Sequence, residues 1–138
     1  MWLTRIRVED DGFDKSGREV WRLLKPLAFR SPRFGTVVVP PDFRTNYASV
    51  PRLPLVFLMA GGRASKEAAL HDCEYTLRRM PREDADDLFL EALLLNPSIP
   101  EGLAYTMHKA VRWFGNGSWE DETNIVQPES ILAMIDEP

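Results

Sequence analysis

The chain of 138 residues holds a single cysteine, Cys73, so no internal disulfide framework can form and folding does not depend on oxidation. Its two histidines, His71 and His108, are too few alongside one cysteine for a structural zinc site. Positive charge is not in excess. The formal net charge of −4 argues against a partner bound through nucleic-acid phosphates. The longest apolar run, Leu53-Pro54-Leu55-Val56-Phe57-Leu58-Met59-Ala60, is too short to cross a bilayer and is interrupted by proline, so no transmembrane segment is expected. Met1-Trp2-Leu3-Thr4-Arg5 lacks the basic start and apolar stretch of a secretory leader. Gly61-Gly62 lacks a following Gly-Lys-Ser/Thr, which excludes a phosphate loop. Neither repeats nor low-complexity stretches occur.

What is present is ordinary globular composition. Hydrophobic residues make up 44% and charged residues 28%, enough to bury a core without staples. The expectation is one α+β domain over 1–115, with a small N-terminal antiparallel sheet packed on three C-terminal helices, and an acidic tail over 116–138. Residues 2–8 alternate imperfectly between apolar and polar, and Asp10-Asp11-Gly12 and Lys15-Ser16-Gly17 are turn signals. Strands are predicted at 19–24 and 27–29, on either side of Pro26. Arg33-Phe34-Gly35 turns into Thr36-Val37-Val38-Val39, the clearest strand by β-branched content. Prolines 40, 41, 51 and 54 make 40–64 an irregular connector.

The second half reads helical. Ser65 is the expected N-cap of a helix to about Arg79, with a stripe of Ala69, Leu70, Cys73 and Leu77. Pro81 breaks the chain. A second helix over 82–95 opens on Glu83 and Asp84, which suit its positive end, and carries Ala85, Leu88, Phe89 and Ala92. Ser98-Ile99-Pro100-Glu101 reads as a capping box for a third helix bearing Leu103, Met107, Ala110, Val111 and Phe114, stopped by Gly115. A short closing helix is expected over 128–135. Arg78, Arg79 and Arg82, like the arginines at 30 and 33, are expected as solvated charge.

Two short motifs carry the chemistry. His71-Asp72-Cys73-Glu74-Tyr75 reads H-D-x-x-Y, and Ala85-Asp86-Asp87-Leu88-Phe89 reads A-D-x-x-F. On a helix His71 and Tyr75 stand one turn apart on one face, with Asp72 beside them. They fall off the Leu70-Cys73-Leu77 stripe, so the helix either has a second buried side or presents them to a cleft. Asp86 sits beside Phe89 and Leu93, where a carboxylate loses water and needs a partner. The short Met80-Pro81 connection makes the two helices antiparallel neighbours and sets Asp86 opposite Tyr75, with His71 one turn further on. A hydrogen-bonded cluster of His71, Tyr75 and Asp86 is the expectation. Such a cluster can do general-base chemistry, and it can equally lock two helices together; the residues leave both open.

His108 reads as a surface histidine, and Cys73 as a buried small hydrophobe rather than a nucleophile. Asp72, with Asp86 or Asp87, offers oxygens to a hard cation such as Ca²⁺, although adjacent helical residues point about 100° apart. No other cofactor-binding residue is expected.

Read in order, Val39-Pro40-Pro41-Asp42-Phe43-Arg44-Thr45-Asn46-Tyr47-Ala48-Ser49-Val50-Pro51-Arg52, H-D-x-x-Y and A-D-x-x-F resemble a family of short phage and prophage proteins known only as a domain of unknown function. Its pattern is V-P-x-G-F-x-T-D-x-A-S-x-P followed by the two helical motifs. The resemblance implies a phage protein, placed in a virion or the host cytoplasm, with other phage proteins as partners and an oligomer as one arrangement. The chain departs twice, with Asp42 at the glycine and Asn46 at the aspartate. More distantly, the helical pair is similar to the core of phospholipase A2 proteins. That likeness implies His71 as the base that activates water, Asp72 as a calcium ligand, Asp86 and Tyr75 as the orienting pair, and a lipid or ester substrate. The glycine-rich calcium loop of those enzymes is missing; residues 45–49 lie where it would be. Two functions follow: a phage-encoded hydrolase centred on His71, or a non-enzymatic virion or assembly protein in which the same network is structural.

Overall fold

The computed structural model describes residues 1–15, 17, 19–46, 64–115 and 119. Most of the proline-rich connector, Gly61-Gly62 and the expected closing helix lie outside the described residues. Among the described residues, antiparallel strands in two small sheets precede three helices, an α+β arrangement. Residues 1–46 belong to one compact unit and the three helices to another.

In the strand unit, β1 (Val8–Phe13), β2 (Glu19–Leu23) and β5 (Arg44–Thr45) form one sheet in the order β1-β2-β5. The hairpin β3 (Leu27–Ser31) and β4 (Gly35–Val39) forms the other. The sequence suggested one sheet. Pro26 lacks an N–H to extend the ladder beyond β2, and β2 pairs with β1 and β5 instead. The first strand begins at Val8, later than the alternation suggested; of the earlier residues, Trp2 bridges Phe29. Asp10-Asp11-Gly12 is not a turn but lies within β1. Asp10 pairs with Trp21 and Phe13 with Glu19, which leaves one extra residue on β1, a bulge. Gly12 takes φ 83° there, and its N–H donates to the Asp10 carboxylate at 3.0 Å. Leu23, Leu27, Phe29, Val39 and Phe43 fill the unit's interior.

The chain turns sharply at the end of β4. Phe43 N–H donates to Pro40 O at 3.3 Å, which puts Pro41 and Asp42 at the corners of a turn with Asp42 at φ 66°. That left-handed corner suits glycine, and a side chain there strains the backbone by about 1–2 kcal/mol. Asp42 pairs with Arg22 at 2.5 Å from this position.

In the helical unit, α1 (Ser65–Leu77), α2 (Arg82–Leu94) and α3 (Glu101–Phe114) follow one another, with α2 packed against both others. Ala64 rather than Ser65 caps α1, without a side-chain bond. Arg78 closes α1 in a left-handed conformation, φ 53°, with its N–H on Glu74 O at 2.7 Å. The capping box before α3 does not form. Pro100 is the cap, and the Ser98 N–H instead bonds Asn96 Oδ1 at 2.9 Å. Ala64, Ala68, Phe89, Leu93, Ile99, Leu103, Ala104, Met107 and Val111 make one apolar cluster. Full burial of side chains such as Phe89 and Leu93 contributes roughly 1.5–3 kcal/mol each. Phe114 is exposed, against its expected place on the stripe of α3.

Candidate active site

Both faces of α1 are buried. Ala69, Leu70, Cys73 and Leu77 form one side, while Ala68, His71 and Tyr75 form another. His71 and Asp86 are both fully buried and Tyr75 is 1% exposed. The fold-back at residues 78–81 sets α2 alongside this second face. His71 Nε2 lies 2.7 Å from Asp86 Oδ1, and Tyr75 OH donates to the same oxygen at 2.6 Å. The three residues the motifs singled out thus share one carboxylate oxygen. The His71 ring also packs at a tilt against two others, 4.1 Å from Tyr75 and 4.8 Å from Phe89 by centroid.

The other carboxylate oxygen is held from α3. Arg112 Nε donates to Asp86 Oδ2 at 3.0 Å, while its Nη2 donates to Asp87 Oδ1 and to Glu83 O, each at 3.0 Å. Arg82 answers from the start of α2. Its Nε donates to Tyr75 OH at 3.2 Å and its Nη2 to Val111 O at 3.0 Å and Arg112 O at 2.5 Å, the last-turn carbonyls of α3. These two arginines were not found from the motifs, and Arg82 is no solvated end charge. A signal existed: a desolvated Asp86 has two oxygens, and a single histidine or tyrosine leaves one to be met by a cation on a neighbouring helix.

Burial by itself raises the Asp86 pKa, but the bonds from His71, Tyr75 and Arg112 outweigh it and hold the carboxyl below its ordinary 3.8. Burial lowers the His71 pKa below its ordinary 6.5, more than Asp86 raises it. The pair at neutral pH is a carboxylate and a neutral imidazole. A carboxylate only accepts, so His71 carries its proton on Nε2 and its lone pair on Nδ1. Desolvation, then the Asp86 charge, push the Tyr75 phenol well above its usual range, so it stays a donor.

Gly115 stops α3 as expected, at φ −77°, and serves a second purpose. A Cβ there would lie 2.6 Å from Tyr75 OH and also strike Val111 O. The glycine makes room for the phenol. Trp119 closes over the same ring edge-on, at 5.2 Å.

The remaining candidates divide. Cys73 is fully buried, and desolvation raises its thiol far above the reactive range, as its place on the stripe suggested. His108 is mostly buried, its side chain 18% exposed, rather than free on the surface; its Nε2 lies 3.0 Å from Asp87 Oδ1. Asp87 Oδ1 meets Arg112 and His108 of α3. Asp72 is half-buried on α1. Among the described residues no group of three or more His, Cys, Asp or Glu side chains can hold a metal, so these residues do not by themselves fit a calcium ion. Of residues 45–49, where a calcium loop would lie, Thr45 is in β5 and 47–49 fall outside the described residues. Asn46 donates through Nδ2 to Asp14 Oδ2 at 2.6 Å, a bond an aspartate could not make as an anion. No described helix is long and apolar enough to cross a membrane.

The α+β chain with this buried histidine–carboxylate–phenol cluster belongs to the family described as protein of unknown function, DUF1353, which matches residues 21–111. The match takes in both helical motifs and most of α3. No curated protein and no solved structure matches the chain.

Proposed function

We propose that the chain is a phage-encoded hydrolase of lipid or simple esters, with His71 as general base and Asp86 and Tyr75 as the groups that orient it. One observation carries this reading: His71 Nε2 and Tyr75 OH converge on a single oxygen of an ionised Asp86. That arrangement leaves Nδ1 as the basic nitrogen, and an imidazole neutral at pH 7 can take a proton from water. The phage origin rests on the motif resemblance, as does the ester substrate.

A second reading has its own support. His71 is fully buried, and a base must reach its water. On that reading the network braces the helices of a non-enzymatic virion or assembly protein. The test is hydrolysis of a lipid and ester panel by pure protein and by His71→Ala, with and without Ca²⁺ or a chelator. Wild-type turnover lost in a folded His71→Ala supports the hydrolase. Equal inactivity of both proteins across the panel supports the structural reading, and loss on chelation alone assigns a metal to the reaction.

A further inference from the structure

We propose that Arg112 is the positioning residue for His71, acting through Asp86. The inference deepens the hydrolase reading and rests on it for the reaction that is positioned. Arg112 reaches across from α3 and takes Asp86 Oδ2 at 3.0 Å, which reserves Oδ1 for His71 and Tyr75. Its own geometry is fixed at two further points, Asp87 Oδ1 and Glu83 O, both 3.0 Å from Nη2. A guanidinium held at three acceptors cannot swing off without breaking all of them. The carboxylate is thereby pinned in rotation, and the proton of the imidazole is directed to Nε2.

The charges around the pair come from every helix of the unit. His71, Tyr75 and Asp72 stand on α1, Arg82, Asp86 and Asp87 on α2, and His108 and Arg112 on α3. Among the described residues, Arg112 is the arginine in direct contact with the Asp86 carboxylate. Arg82 touches Tyr75 OH instead. Removing the Arg112 charge takes the positive partner from Asp86. The Asp86 carboxylate, no longer balanced by that cation, then favours a proton on the imidazole it touches, so the His71 titration moves upward.

The experiment reads the His71 ring nitrogens by ¹⁵N NMR in wild type, Arg112→Gln and Arg112→Lys. Wild type is expected to show the proton on Nε2 at pH 7. Arg112→Gln should raise the His71 midpoint by roughly one pH unit. Arg112→Lys keeps the charge and should stay near wild type. A wild-type proton on Nδ1, a folded Arg112→Gln with unchanged tautomer and midpoint, or equal shifts in both variants overturns the proposal. Should Arg112→Gln not fold, a wild-type tautomer and midpoint in Arg112→Lys supports the proposal, and a changed one contradicts it. On an active wild type, Arg112→Gln lowers kcat more than it raises KM, and its pH–rate midpoint follows the NMR midpoint. Failure of the hydrolase reading shows separately, as an inactive wild type whose His71 titration still responds to Arg112.

Discussion

Asp86 is the residue on which the helical unit's polar chemistry turns. It receives His71, Tyr75 and Arg112, two of them with no access to water. Asp86→Ala strands a buried imidazole and a buried phenol and loosens Arg112. The expected loss is about 3–5 kcal/mol, read as the urea midpoint of unfolding. Acid should act on the same pair. His71 has a folded pKa below 6.5, so the unfolded chain takes up protons first as pH falls. Its contribution is complete above 6.5 and is lost as pH drops toward the folded value. Asp86, held below 3.8, adds a second loss lower still. Thermal melts in steps from pH 8 to pH 3 should fall through both windows; a Tm rising below pH 6.5 in a variant free of other buried acids would contradict the assignment.

Such another acid exists on α1, which makes that helix the element where sequence reading was least complete. Glu67 is fully buried one turn before His71. Asn96 donates to its Oε1 at 3.1 Å, and its Oε2 has no hydrogen-bond partner among the described residues. Burial pushes its pKa above the ordinary 4.5, against the weaker pull of its hydrogen bonds and Lys66. The sign is opposite to that of Asp86. Glu67 favours the fold below 4.5 and loses that contribution as pH rises through its folded value. Glu67→Gln should be near neutral at pH 4 and stabilising by about 1–2 kcal/mol at pH 8, measured by chemical denaturation. A destabilised Glu67→Gln at pH 8 would show that the carboxylate form is the one the fold needs. At the end of α3, Gly115→Ala should lower stability by about 1–3 kcal/mol, because the added methyl collides with Tyr75 OH and lifts it from Asp86. An unchanged Tm in Gly115→Ala would mean that Tyr75 sits elsewhere.

The helix boundaries, the antiparallel α1–α2 pair and the meeting of His71, Tyr75 and Asp86 were legible in spacing and proline breaks. The burial of His71 was not, because α1 is apolar along Ala69, Leu70, Cys73 and Leu77 but is also covered over Ala68, His71 and Tyr75, a face whose polar residues hide its burial. Likewise, Arg112 is four residues from His108 on α3 and reads as surface charge until the second oxygen of Asp86 is accounted for. The split of the strands into two sheets also escaped the sequence, since β5 is two residues long and too short to carry a pattern.

For the whole molecule, the family match over residues 21–111 reaches from β2 into α3, so it spans part of both units. The central claim is that the helical unit holds His71 as a working base. The most direct measurement is the pH dependence of kcat/KM for ester hydrolysis by the full chain. With an imidazole whose pKa is held below 6.5, the rate should rise to a plateau with a midpoint below that value and should vanish in His71→Ala. A midpoint above 6.5, a profile unaffected by His71→Ala, or no hydrolysis at any pH would contradict it.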